Sequence, residues 1–132
     1  MLKYQLYAII GILGIAEVVR MIMSFIARRT ISGLIPIINA IQGSFKIRWT
    51  IIFSIIVTYL IMIAGILWFG VRNSSNPIMA AINGGILGFI VYGVYNATNY
   101  TVFDKWTMLY SYGDVIWGTS LFAAASFVAK LL

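Results

Sequence analysis

Apolar residues fall into four long runs along this chain, separated by short stretches that are polar or punctuated by glycine and proline. A helix needs about 20 apolar residues to cross the ~30 Å of bilayer hydrocarbon, and each run approaches that length. The first covers residues 4–27 and is interrupted by Glu17 and Arg20. The second, 49–71 (WTIIFSIIVTYLIMIAGILWFGV), contains no charge. The third, 78–99, follows Pro77, a residue suited to the first turn of a helix. The fourth, 114–132, is rich in small residues (GTSLFAAASFVA). None shows the alternation of a barrel strand, and in lipid a helix satisfies its own backbone. The pattern predicts an all-α membrane protein, a four-transmembrane-helix bundle forming a single integral membrane domain over residues 1–132.

The links carry the topology. Residues 28–48 contain SGLIPIINAIQGSFKIR, too short and too broken by Gly33, Pro36 and Gly43 to cross. They are expected to form an interfacial segment between spans 1 and 2, as a helix lying in the headgroup plane or a shallow re-entrant turn. The link RNSSNP, 72–77, predicts a tight turn that makes spans 2 and 3 antiparallel. The third link, 100–113, holds Trp106, Tyr110 and Tyr112, a composition that suits headgroup depth. Loops 1 and 3 carry Arg28, Arg29, Lys46, Arg48 and Lys105, against Lys3, Arg72 and Lys130 on the other side. The positive-inside rule therefore puts loops 1 and 3 in the cytoplasm and both termini outside. The first run continues through Glu17 and Arg20 without a small-residue cleavage pattern, so it reads as a retained span.

Composition strengthens the membrane assignment. Hydrophobic residues make up 62% and charged residues 9% of the chain, and the mean hydropathy is +1.00; soluble domains hold about 25% charged residues. The chain has no Cys and no His, which excludes disulfides, thiolate or histidine metal sites, a Cys nucleophile and histidine proton relays. No metal, cofactor or catalytic residue is expected. The formal charge of +6 is scattered over the ends of the apolar runs rather than gathered in a patch, so the expected partners are membrane lipids and not nucleic acid.

Polar groups at membrane depth are where chemistry would be sought. Glu17 and Arg20 are three apart and share a helix face: a proton or cation site, or an intrahelical ion pair. In span 3, Gly84, Gly85 and Gly88 supply a small-residue step for close helix approach, and Tyr92, Asn96 and Asn99 follow on nearly the same face. That polar end reads either as a lining for a cleft between spans 3 and 4 or as hydrogen-bonding glue to a neighbouring helix. Asp114 reads as the N-cap of span 4 or as a carboxylate aimed at Asn96 and Asn99, and Gly118 follows it as a further packing position. Of three Asn-x-Ser/Thr triplets, at Asn73, Asn96 and Asn99, only Asn73 lies outside a span, where a eukaryotic secretory pathway would modify it.

Residues 88–118 (GFIVYGVYNATNYTVFDKWTMLYSYGDVIWG) resemble the signature of a family of small four-span membrane proteins of bacteria and large DNA viruses, known only as a domain of unknown function. The resemblance rests on Gly88, Tyr92, Gly93, Tyr95, Asn96, Thr98, Asn99, Trp106, Asp114, Trp117 and Gly118. It implies a four-helix membrane bundle and no particular activity. Asn96 departs from the family pattern, which usually has Asp there, and Glu17 stands near where the family carries an Asp. A proton-carrying role for the usual Asp would be impaired in this chain.

Two functional classes compete. The first is a structural or assembly component of a cell or virion membrane, as a homo-oligomer or with other membrane or capsid proteins. The second is a small transporter, channel or ligand-binding bundle with a polar cleft formed by Tyr92, Asn96, Asn99 and Asp114, joined by Glu17 and Arg20. An enzyme is not expected. The setting is a bacterial inner membrane or a viral or host membrane, and Ile-rich usage hints at an AT-rich genome.

Overall fold

The structure, a computed structural model, describes residues 1–30, 48–104 and 106–132, with the side chains of residues 24, 25 and 27–30 outside the description. The expected interfacial segment, with Lys46, lies outside the described residues, as does Lys105. Helix α1 runs over Leu2–Thr30 and α2 over Trp49–Gly65, continuing without a break as a π-helical segment, Ile66–Arg72. Helix α3 covers Pro77–Val102 and α4 covers Met108–Leu131. Among the described residues, four helices are long and apolar enough to cross a membrane. Large apolar side chains such as Ile15, Ile22, Ile56, Leu60, Phe89 and Ile90 point outward from them, an arrangement that hydrocarbon tolerates and water does not.

Among the described residues, helices α3 and α4 make the most extensive pairing. They approach where side chains vanish. A Cβ on Gly88 would fall 2.5 Å from the Gly118 carbonyl oxygen, and one on Gly84 would fall 2.6 Å from the Phe122 carbonyl oxygen. A Cβ on Gly118 would overlap the Tyr92 ring. Gly85 is buried on the same face but would meet only Ala123 and Thr119 at ordinary contact distance. Lipid tails are as apolar as leucine, so helix association in a membrane relies on this close backbone packing.

The π-helical segment docks against the α3–α4 pair. Its wider turns, with i→i+5 hydrogen bonds, turn Ile66, Gly70 and Val71 inward while Trp68 and Phe69 stay exposed. Gly70 meets Gly84 and Ser126, so three helices converge on three of their smallest residues. Lys130 Nζ donates to the Val71 carbonyl at 3.1 Å, placing a cation at the carbonyl end of the helix where the dipole favours one. Helix α1 closes the bundle by setting Ile9 and Leu13 into the core formed by Ile66, Val71, Phe122, Ala125 and Ala129. The Trp49–Gly65 part of α2 buries no residue and touches α1 only slightly.

The turn between α2 and α3 satisfies itself. Ser74 Oγ donates to the Gly70 carbonyl, Asn83 Nδ2 donates to Ser74 Oγ at 2.9 Å, and Asn76 Oδ1 accepts from the Met79 amide ahead of Pro77 at the first helical turn. The last helix differs from the sequence expectation. It starts at Met108, six residues before Asp114, with Thr107 as the N-cap accepting from the Tyr110 amide at 3.1 Å. Asp114 is therefore not an N-cap, and Tyr110 and Tyr112 stand on the helix rather than in the link. A Thr before an unbroken run of helix-compatible residues outweighs the break suggested by Gly113.

Gly88→Leu is expected to lower unfolding stability by about 3 kcal/mol or more, because the clash is with backbone that has no alternative rotamer, while Gly85→Ala stays within about 1 kcal/mol of the parent. Thermal unfolding in detergent, followed by tryptophan fluorescence, checks both. Ser126 is 0% exposed, and its hydroxyl has no hydrogen-bond partner among the described residues. Ser126→Ala is expected to stabilise the protein by about 1 kcal/mol in the same assay, since an unpaired buried hydroxyl is lost.

Candidate functional site

Above the glycine contact, toward the loop between α3 and α4, the bundle turns polar. Tyr92 lays its ring on Gly118 and meets Phe122 edge-on, with ring centres 6.0 Å apart. One turn further, Asn96 is 2% exposed. Its amide nitrogen donates to Asp114 Oδ2 at 2.7 Å and to the Tyr92 carbonyl at 2.8 Å. Its amide oxygen accepts from Trp106 Nε1 at 3.3 Å, and the same N–H reaches Ser111 Oγ at 3.0 Å. Ser111 Oγ in turn donates to the Thr107 carbonyl at 3.0 Å. The Trp106 ring is held edge-to-face by Tyr95 and Tyr110, with centres 6.1 Å and 5.0 Å away, and tilted against Phe103. The result is a chain of hydrogen bonds joining α3, the link and α4.

Asn96 does what an ionised Asp at that position would not. An amide offers a donor to Asp114 and an acceptor to Trp106 at once, whereas two carboxylates 2.7 Å apart cannot both remain charged. Asn99, one turn on, is half-buried, and its backbone carbonyl accepts from the Phe103 amide at 2.8 Å where the helix ends. Its side chain takes no part in the network. Between α3 and α4, Tyr92 covers Gly118 and Asn96 is bonded across to Asp114.

Glu17 and Arg20 form a second group on α1. Arg20 Nη2 donates to Glu17 Oε1 at 2.5 Å, and the two side chains keep 50% and 37% of their surface exposed. The Tyr59 hydroxyl of α2 lies against the Glu17 carboxylate, and Arg20 is within electrostatic range of Tyr110. Tyr92 lies in the field of both Asp114 and Glu17, so all four helices contribute polar atoms to one end of the bundle. Tyr59 and Ser111 are members that the sequence reading did not single out, while Trp106 and Tyr110, expected as aromatic residues at headgroup depth, meet each other edge-on, and Trp106 joins the hydrogen-bond network. Tyr59 carried a signal, as the single tyrosine of the second span. Among the described residues no group of three Asp, Glu, His or Cys side chains gathers to hold a metal ion.

The sequence profile of the family described as "Predicted membrane protein (DUF2177)" matches residues 8–131. The chain belongs to that family. The match covers α2, α3 and α4, α1 from residue 8 onward, and both polar groups, so these belong to the part of the chain that the family shares. No curated protein and no solved structure matches the chain.

Asn96→Asp tests the geometry of the network. It would set a second carboxyl against Asp114, and such a pair shares one proton. The folded state then holds that proton to a higher pH than the unfolded chain does. Stability close to the parent's at pH 4–5 should fall by about 2 kcal/mol as pH rises to 8, while the parent changes less. Denaturation in detergent at stepped pH measures the difference.

Proposed function

We propose that this protein is a structural or assembly component of a cell or virion membrane, and not an enzyme. The observation that supports this reading is that the buried Asn96 is fully engaged by its neighbours. Asn96 is consumed by Asp114, Tyr92 and Trp106, and the α3–α4 faces meet backbone to backbone. A catalytic or transport site keeps an open position for its substrate; this network instead fixes the register of two helices and the link between them. In this reading the partners are membrane lipids together with further copies of the chain or other membrane or capsid proteins, and the setting is a bacterial inner membrane or a viral or host membrane. Loops 1 and 3 face the cytoplasm, following the excess of Lys and Arg on that side.

A second reading is favoured by the Glu17–Arg20 pair, which is partly exposed inside a span. Charges so placed are used by small transporters, channels and ligand-binding bundles to meet a polar solute. Proteoliposome flux separates the two. The structural reading expects proton and cation leak equal to that of empty vesicles, together with higher-order species on cross-linking in native membranes. Flux that is abolished by Asp114→Ala and Glu17→Gln would replace it with the transport reading.

A further inference from the structure

The membrane end that holds the start of α1 and the end of the π-helical segment carries cations without counter-charges. Leu2 opens the Leu2–Met23 span and Arg72 closes the Trp49–Arg72 span, so both sit where hydrocarbon gives way to headgroups. Lys3 follows Leu2 in α1, and Lys130, in the last turn of α4, reaches the Val71 carbonyl next to Arg72. The chain holds three acidic residues in all, and none is at this end. Glu17 lies well inside its span, Asp104 follows the far end of α3, and Asp114 bonds Asn96 toward that same far end. The Arg72 guanidinium stands over the Trp68 ring, 5.3 Å from its centre, and forms no ion pair among the described residues.

Beside Arg72 the bundle is open. Helices α1 and α2 touch only slightly, and a crevice of about 280 Å³ is lined by Leu2 of α1, Ala64 of α2, and Leu67, Trp68 and Arg72 of the π-helical segment. It is charged at the Arg72 rim and apolar about two turns deeper, where Ala64 contributes only a methyl group. We infer that this crevice seats an anionic phospholipid, its phosphate on Arg72 and an acyl chain along Leu2, Ala64 and Leu67. Stacking on Trp68 leaves the edge of the guanidinium free, and that edge is the planar N–H fork that matches a phosphodiester. An apolar crevice open to the bilayer takes up hydrocarbon, whose dispersion contacts complete its walls. Charge balance selects the headgroup. Lys3 and Lys130 add to the positive field of Arg72, and no carboxylate is present to receive an ammonium. Phosphatidylethanolamine and phosphatidylcholine would bring a cation to a cationic rim, whereas phosphatidylglycerol brings a net negative charge. This lipid site is independent of the Asn96–Asp114 network, at the other end of the bundle, on which the structural reading rests.

Native mass spectrometry of the full chain, released from micelles holding equal amounts of the three lipids with identical acyl chains, tests the site. About fivefold preferential retention of phosphatidylglycerol over either zwitterionic lipid is expected, the ratio that one basic residue at a membrane surface supplies. Arg72→Gln should remove most of that preference. Ala64→Phe, which fills the crevice and keeps the cation, should lower retention of all three lipids. Arg48→Gln removes a cation from the opposite end of α2 and should leave the preference unchanged. Thermal unfolding confirms that each variant is folded, and the comparison of lipids on the parent chain needs no variant. Equal or better retention of phosphatidylcholine or phosphatidylethanolamine by the parent would overturn the inference. Loss of the preference in Arg48→Gln to the same extent as in Arg72→Gln would reduce it to bulk charge and overturn it as well. So would full retention in Ala64→Phe, or displacement by soluble glycerol phosphate at concentrations comparable to the lipid, since either result leaves the acyl chain without a seat.

Discussion

The close backbone approach of α3 and α4 is the constraint on which the rest of the structure depends. Gly88 and Gly118 remove the side chains that would otherwise hold the helices apart, and Gly84 does the same against the Phe122 carbonyl. Inside a bilayer there is no hydrophobic gain from bringing two apolar helices together, so the attraction comes from dispersion over a close contact and from hydrogen bonds across it. Once that contact is set, Tyr92 has a seat on Gly118, and Asn96 falls at bonding distance from Asp114. Three of the features that define the bundle follow from one narrow crossing. The third is the docking of the π-helical segment through Gly70 onto Gly84 and Ser126.

The polar residues divide into two populations with different consequences. The Asn96–Asp114–Trp106–Ser111 network looks inward, and its members bond to one another and to helix-end carbonyls. A network satisfied in this way specifies one register of helices, because any sliding would leave an amide and a carboxylate unpaired in a medium that penalises both. The Glu17–Arg20 pair lies on α1 and stays partly exposed. Helices α3 and α4 hold the frame, while α1 carries a partly exposed ion pair with Tyr59 of α2 against it. The Trp49–Gly65 part of α2, which buries nothing within the described chain, adds a further large lipid-exposed surface.

The membrane class, the number of helices and the approximate bounds of three of them were legible in the sequence, because hydrocarbon thickness alone dictates the length of an apolar run. The small-residue step of Gly84 and Gly88, four apart on one helix face, was also visible in the amino-acid order, and both lie against α4. Local chemistry also indicated that Asn96 and Asp114 belong to neighbouring helix ends. What hydropathy could not convey was the start of α4, where Thr107 begins the helix in a stretch that composition assigns to a link, or the π-helical winding at Ile66–Arg72 in an unbroken apolar run. Both depend on hydrogen-bond choices among conformations of nearly equal apolar content.

The tertiary structure alone decided which alternative each polar residue takes. Whether Asp114 caps its own helix or bonds Asn96, where the Tyr92 ring lies, and whether Tyr59 meets Glu17 are questions about distances between residues far apart in the chain. Those distances are set by the α3–α4 crossing and by the way the π-helical turn leans on it. The amino-acid order determined that this protein lives in lipid as helices, since backbone polar groups there have no other partners. The fold determined where its few charges end, since a side chain's partner is chosen by packing in three dimensions and not by its position along the chain.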